Sequence, residues 1–558
     1  MSSGARHIHV KGQVRCRLFH HGKKECPLKL RNSNKQSFIY GTLILLAAGI
    51  VNRMLGFIPR IVLPRLIGAE GVGLYQLGYP FFLVLVTVIA GGIPLAVAKM
   101  IAEAEGKGKK ERSRQILHSS LGLSVGLGLL FTAISLAIAP WIAHEVLTDS
   151  RVYLTLIAMT PMLSIVAVSA VYRGYFQGMQ NMIPSALSSV LETVIRIFFM
   201  LYFSWLLLPK GMAYAAAGAM LGVTVGELAG MLVLLVQYRL TVSKPADNSS
   251  EQDLNPSNEG NPDHTDQGVI RRLLRISIPV TGGRLVGSLS YLLESIITAR
   301  SLAMAGVATA VATAQYGSLQ GMVIPLLLLP GALTTALAVS LVPSLAEAAA
   351  RKDSRSIHKR IHQALRLALV TGAPFAVLMY VLADPLCTLL YGNPDTAPML
   401  RMMVPFSLFM YVQPPLQATL QAMERPGTAL FNTLAGAVVK IMLILGLASR
   451  PEYGITGALI AIIVNSILVT LLHGYSVIKL VSLRLQTRDL FKIGAAMTIM
   501  GAGAKYVYLH SPYPGGAQWI HFILASALGF SLYIGVSLLT GLFSRQDLKK
   551  LPLIRRWL

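Results

Sequence analysis

Arg53 and Arg60 interrupt an otherwise apolar run, GTLILLAAGIVNRMLGFIPRIVL, at residues 41–63. A guanidinium keeps its charge at any ordinary pH and offers five N–H donors in a planar fork that fits phosphate or carboxylate oxygens. A run of this length is what a helix needs to cross a bilayer, and an arginine held at its centre costs roughly 2.5–3.5 kcal/mol. The seven-residue spacing puts both arginines on nearly one helix face, about 10 Å apart along the axis. Charges placed this way are expected to face a watery cavity or an anion. The alternatives are pairing with buried carboxylates and, for Arg60 nearer a membrane surface, snorkelling to the headgroups.

Other polar groups lie inside apolar runs. Arg284, Tyr291 and Glu294 fall within roughly 80° of one helix, where they could line the opposite wall of the same cavity or tie helices together. Glu192 and Arg196 are four apart on one span, and Glu227 on the next lies at similar depth. That trio reads as a structural ion network, with a proton relay as the functional alternative. No catalytic constellation is found. There is no P-loop and no glycine-rich nucleotide turn, and Asp384 and Asp395 are thin support for membrane-surface glycosyl transfer. No enzyme activity and no cofactor are expected. Cys16, His20, His21 and Cys26 match no ordinary zinc spacing, and with Cys387 they make no disulfide framework.

The elements that must position these groups are membrane helices. Hydrophobic residues make up 54% of the chain and charged ones 13%, far from a soluble domain's balance. The net charge of +25 sits in short loops, where it acts on topology and on anionic membrane lipids, so no nucleic acid partner is expected. Apolar spans fall at about 38–64, 72–100, 115–142, 153–177, 182–208, 211–238, 272–302, 311–345, 357–384, 397–423, 427–449, 454–481, 488–508 and 518–543. The expected fold class is therefore an all-α polytopic membrane protein of about 14 transmembrane helices. Basic runs at 107–114 and 351–360, Arg484, Arg488, Lys492, and the tail with Lys549, Lys550, Arg555 and Arg556 mark alternate loops. The positive-inside rule then puts both termini in the cytoplasm of a cell-membrane protein.

Residues 1–36 read as a polar, basic cytoplasmic tail or as an artefact of the assigned start. Residues 242–269, polar and rich in Asn, Asp, Ser and Pro, read as a disordered cytoplasmic linker. The linker separates an N-lobe (37–241) from a C-lobe (270–482), and 483–558 add two helices and a basic tail. A faint repeat at an offset near 244 aligns Glu103 with Glu347, Gln177 and Met179 with Gln421 and Met423, and Arg196 with Lys440. Six spans per unit would make the copies parallel. Pro59, Pro64, Pro80, Pro94, Pro279, Pro325 and Pro330 break helical bonding as hinges or as simple kinks.

The runs GTLILLAAGIVNRMLGFIPR (41–60), LIGAEGVGLYQLGYP (66–80), GIPLAVAKMIAEA (92–104), RGYFQGMQNMIPSALSSVLETVIRI (173–197) and YAAAGAMLGVTVGELAG (214–230) resemble the polysaccharide-transporter branch of the multidrug/oligosaccharidyl-lipid/polysaccharide exporter superfamily. That superfamily also includes the lipid II flippases, and the resemblance covers nearly everything from residue 36 onward. It implies two pseudo-repeated six-helix lobes around a central cavity, plus two C-terminal helices. It also implies movement of a lipid-linked cell-wall precursor, a lipid-linked oligosaccharide or lipid II-like substrate, during spore cortex formation. Two departures stand out. The lipid II flippases carry arginines late in the second helix, where this chain has only Lys99 in 88–99. Some relatives bind sodium through acidic and amide groups on the seventh and eleventh helices. Here those helices supply Glu294, Asn432 and a cation, Lys440, which would stand as a fixed charge in sodium's place. The competing readings are a non-transporting scaffold that recruits cortex-synthesis enzymes and a cation-coupled multidrug exporter.

Overall fold

The computed structural model describes residues 38–242, 266–482, 487–510 and 518–542; the N-terminal tail, most of the linker, Arg484 and the basic C-terminal tail lie outside the described residues. Every regular element among those residues is helical. Ten segments are long and apolar enough to cross a membrane by length and composition, and one of them, Ala47–Gly106, takes in the first two expected spans. Helices also occupy the expected positions 272–302, 397–423 and 488–508. The end of the bundle carrying the basic loops 107–114 and 351–360 is called the inner end below.

The chain enters through α1 (Phe38–Leu55), turns at Gly56 and continues as α2 (Phe57–Ala90). Inside α2 the helical path breaks at Gly68, whose φ of 65° suits a residue without a Cβ. Gly91 and Gly92 then separate α2 from α3 (Ile93–Gly106). The N-terminal lobe is completed by α4 (Lys110–Trp141), α5 (Val152–Gly178), α6 (Ile183–Leu207) and α7 (Met212–Val242).

The packing of α6 on α7 follows directly from sequence. Gly218, Gly222, Gly226 and Gly230 recur every fourth residue, which puts them on one stripe of α7, and small residues let membrane helices approach backbone to backbone. A Cβ on Gly218 would lie 2.6 Å from the Phe203 carbonyl oxygen, and one on Gly222 would lie 2.1 Å from the Met200 nitrogen.

After the linker come α8 (Asp266–Met304), then α9 (Thr309–Gly317), α10 (Ile324–Leu328) and α11 (Gly331–Ala350) as one interrupted pass. A π-helical stretch at 318–323 lies just before Pro325, and inserted π turns of this kind often accompany functional sites. The lobe continues with α12 (Ser354–Val381), α13 (Ala383–Tyr391), α14 (Ala397–Met403), α15 (Ser407–Ala422), α16 (Pro426–Leu443) and α17 (Ile455–Val481). The last two helices, α18 (Thr487–Leu509) and α19 (Gln518–Leu539), pack on each other and on α12. Left-handed turns recur at Gly108 and Lys352, at Thr148 and Gly392, and at Gln180 and Glu424. Each pair is 244 positions apart, the same offset as the faint residue repeat. Of the seven prolines, Pro59, Pro94 and Pro325 fall in the first turns of helices and Pro330 caps one, positions that need no amide donor. Pro64, Pro80 and Pro279 lie within helices.

The two lobes touch near both ends. At the outer end α2 crosses α9 and the π-helical stretch so closely that a Cβ on Gly73 would sit 2.0 Å from the Thr313 carbonyl oxygen, and one on Gly317 would sit 2.1 Å from that of Ala69. Leu74, Leu77 and Leu147 share an apolar cluster there with Ala299 and Tyr316. Toward the inner end a Cβ on Gly92 would meet the Ser277 carbonyl oxygen at 2.2 Å, and Val269 and Leu273 of α8 pack with Val97, Ile101 and Leu234.

Gly222→Ala should lower the melting temperature in detergent, because its methyl would meet backbone rather than a movable side chain; overpacking of this kind costs about 1–3 kcal/mol. Gly446→Ala, where nothing lies within 4 Å of the new Cβ, should melt as wild type. Equal melting of both variants would show that the α6–α7 crossing is looser than described.

Candidate functional site

The glycine stripe brings the intramembrane charges of the N-terminal lobe together. A Cβ on Gly226 would lie 2.5 Å from the Arg196 Cβ, and one on Gly230 would lie 3.1 Å from that of Glu192. Glu192 is the hub. Arg173 on α5 donates from Nη2 to its Oε2 at 2.6 Å, and Arg196 donates from Nη1 to its Oε1 at 3.4 Å. The same Arg173 Nη2 is 3.9 Å from Glu227 Oε2. The sequence reading joined Glu192, Arg196 and Glu227, which left one negative charge over. Arg173 supplies the missing positive charge and makes two of each sign. Its signal was present in the run that opens RGYFQG, an arginine a turn and a half before the inner end of an apolar helix.

The carboxylates form the back of this cluster and the guanidiniums its front. Glu192 and Glu227 expose 8% and 12% of their side chains, whereas Arg173 and Arg196 each expose 32%.

The C-terminal lobe holds a corresponding pair. Glu294 on α8 accepts from Gln320 Nε2 at 3.0 Å and from the Lys440 ammonium on α16. Glu294 and Lys440 are both nearly buried, so Glu294 is engaged inside its own lobe instead of being open to a ligand. Lys440 lies 244 residues beyond Arg196. Asn432 is committed elsewhere, donating to Ser476 Oγ at 3.0 Å.

Between the lobes stand the arginines that the sequence singled out. Arg53 donates from Nη1 to Thr335 Oγ1 at 3.0 Å and to the Ala332 carbonyl at 3.2 Å, so it reaches from α1 to α11. The neighbouring Asn52 donates to Ser189 Oγ at 2.6 Å. Arg60 lies over the Phe57 ring at 5.8 Å, a cation–π contact. Its charge reaches Tyr75 of α2, Tyr291 of α8 and Tyr391 of α13, groups from both lobes. Tyr75 and Tyr79 stack with centroids 6.0 Å apart, and Arg196 acts on both. Arg284 is exposed and has no hydrogen-bond or ion-pair partner among the described residues. The stacked tyrosines lie in the field of both Arg60 and Arg196. Arg53, Arg60 and Arg284 have no carboxylate partner among the described residues.

Polar contacts close the outer end, mostly between residues far apart in sequence that periodicity does not join. Arg151 grips Asp149 with Nε and Nη2, at 3.0 and 2.9 Å, and reaches Glu70 at 2.5 Å. Thr313 of the other lobe donates to the same Asp149 at 2.7 Å. Burial pushes the Asp149 carboxyl up, but the hydrogen bonds from Arg151 and Thr313 outweigh it and hold the group below its usual range. Arg65 donates to the Leu389 and Leu390 carbonyls at the end of α13, and Arg300 to those of Glu145 and Val146. At the inner end a single exposed pair, Arg272 with Glu103, joins α8 to α3.

Comparison with known proteins decides the family. A family model described as polysaccharide biosynthesis protein matches residues 38–349. The chain belongs to that family. A second model, described as MatE, matches residues 288–445. Stage V sporulation protein B of Bacillus subtilis (strain 168) is 40% identical over 524 residues, covering 94% of this chain and 99% of that protein. Lipid II flippase MurJ of the same organism is 29% identical over 209 residues, 36% of this chain and 38% of its own. A solved structure of lipid II flippase MurJ in an inward closed conformation has a TM-score of 0.66 at 15% identity, covering 89% of this chain and 98% of that one. At that identity the likeness is one of fold, the polytopic helical transporter fold that this member of the polysaccharide biosynthesis family shares.

Lys440→Met should destabilise the protein strongly, because an ion left buried without its partner costs about 3–5 kcal/mol. Adding Glu294→Gln should restore most of the loss in a detergent melting assay. Failure of the second change to rescue the first would show that the two groups do not depend on each other.

At the outer end the sign follows from the depressed Asp149 carboxyl. Its contribution is complete above the unfolded aspartate range, near pH 3.9, and is lost as pH falls through the lower folded value. Asp149→Asn should therefore flatten the acid limb of the melting curve below about pH 4 and leave its neutral limb sloped as in wild type.

Proposed function

We propose that this protein moves a polyprenyl-diphosphate-linked cell-wall precursor across the cytoplasmic membrane by alternating access, in the service of spore cortex formation. The observation that carries the proposal is the set of uncompensated cations, Arg53 and Arg60 between the lobes and Arg284 on α8. A diphosphate cannot enter hydrocarbon without losing its hydration. Guanidiniums replace that hydration with charge-assisted, bidentate hydrogen bonds, while the polyprenyl tail stays among lipid chains. The names of the relatives point the same way, one a sporulation protein and the other a lipid II flippase.

In this reading residues 37–241 and 270–482 are the moving lobes, joined through 242–269. Both termini lie in the cytoplasm, anionic lipids contact the basic loops, and cortex-synthesis enzymes receive the cargo. Arg53, Arg60, Arg284 and Tyr291 line the path, and Glu294 supports it from behind through Lys440. The Glu192, Arg196 and Glu227 cluster belongs to the N-lobe wall rather than to a proton relay. A scaffold would need no arginines between its lobes, and a cation-coupled multidrug exporter would need an acidic group free for the cation, whereas Glu294 is held by Lys440.

The test is flipping in reconstituted vesicles, comparing lipid II with other polyprenyl-diphosphate sugars. Arg53→Ala and Arg60→Ala should abolish transport with protein abundance near normal. Arg53→Lys should recover only part of it, since lysine lacks the fork. Full transport by Arg53→Ala at matched expression would overturn the assignment.

A further inference from the structure

We propose that Arg196 is a second anion-binding point of the cavity, released from Glu192 to take a phosphate oxygen of the cargo while Arg173 keeps its hold on Glu192. The proposal rests on the diphosphate reading above and adds a residue to it. Its ground is the unequal grip on the two arginines.

Arg173 holds Glu192 at 2.6 Å, a short charge-assisted bond. Arg196 makes two hydrogen bonds, to Glu192 Oε1 and to Thr193 Oγ1, both at 3.4 Å, beyond the usual N–H···O range. A guanidinium has five N–H donors, so most of the hydrogen-bonding capacity of Arg196 is unused, and nearly a third of its side chain is exposed. Its stem is fixed, because α7 presses against it at Gly226. The head is therefore positioned and loosely held.

Its surroundings suit a phosphate. The stacked Tyr75 and Tyr79 lie within reach of its charge and of Arg60's. In this assignment Arg60 and Arg196 each take one phosphoryl group of the diphosphate. When Arg196 turns to an incoming anion, Glu192 keeps Arg173 as its partner, and Glu227 has the same guanidinium at 3.9 Å. Arg173 is thus the positioning residue and Arg196 the ligand.

The test uses the full-length protein in detergent, with farnesyl diphosphate as the soluble probe, reading binding by calorimetry and stability by unliganded melting. Arg196→Gln should weaken probe binding roughly tenfold or more and lower the melting temperature less than Arg173→Gln does. Arg173→Gln should lower the melting temperature clearly. Arg196→Lys, which keeps the charge and the fold, should bind better than Arg196→Gln and less well than wild type. Wild-type affinity in both Arg196 variants overturns the proposal, as does a melting loss in Arg196→Gln equal to that of Arg173→Gln. If Arg60→Gln weakens binding and the Arg196 variants do not, this inference fails and the diphosphate reading stands. Failure of the wild-type protein to bind the probe at millimolar concentration overturns both.

Discussion

A carboxylate within a membrane protein must find a cation in the same low-dielectric space, and this requirement organises both lobes. Transfer of an unpaired ion from water is costly enough that the surrounding helices are constrained to supply a partner. In the N-terminal lobe Glu192 and Glu227 are matched by Arg173 and Arg196, from three different helices. In the C-terminal lobe Glu294 is matched by Lys440, with Gln320 filling a remaining acceptor position. The glycine stripe on α7 serves the first cluster. Without backbone-close contact between α6 and α7, Glu192 and Glu227 could not share Arg173.

With the anions satisfied inside the lobes, the arginines left over define what lies between them. Contacts across that space include glycine crossings, apolar clusters, the Arg53 bonds to α11, the outer-end polar contacts and the exposed Arg272–Glu103 pair. Close glycine crossings give shape without chemistry, as where Gly73 meets Thr313 and Gly92 meets Ser277. The polar contacts of the outer end, from Arg65, Arg300 and Thr313, end on backbone carbonyls or on a carboxylate that already has a guanidinium partner. Parting the lobes there would leave no carboxylate without a cation, because Arg151 remains with Asp149 in the N-terminal lobe. Such a seam can open and close reversibly, which an ion pair split between lobes would resist.

The helical architecture was legible because apolar runs and basic loops are long-range signals that survive without tertiary knowledge. The offset of 244 was visible in a few residues and reappears in backbone turns, where even Thr148, Gln180, Lys352 and Glu424 adopt left-handed geometry. Ion partners were harder to read. Periodicity joins residues on one helix, so Glu192 and Arg196 were found together, whereas Arg173 required knowing that α5 packs beside α6 and α7. Sequence alone leaves Glu294 between a cavity face and a tie between helices, and the structure pairs it with Lys440, 146 residues away on α16. The outer-end contacts were not legible because most of them join residues far apart in sequence, which periodicity does not.

The repeat relation between Arg196 and Lys440 shows how one position can serve two ends. Both cations sit on corresponding helices of the two lobes, and both face a carboxylate. Lysine is a compact point charge on a flexible stem, and at position 440 it is nearly buried against Glu294, which suits neutralisation. Arginine carries a wide fork whose donors cannot all be satisfied by one carboxylate edge, and at position 196 Glu192 already has Arg173 as its short-range partner. The N-terminal lobe therefore keeps donors to spare at its surface, while the C-terminal lobe keeps its cation nearly buried at the matching place. The Glu294–Lys440 pair holds its helices in register without offering an open anion site at that place.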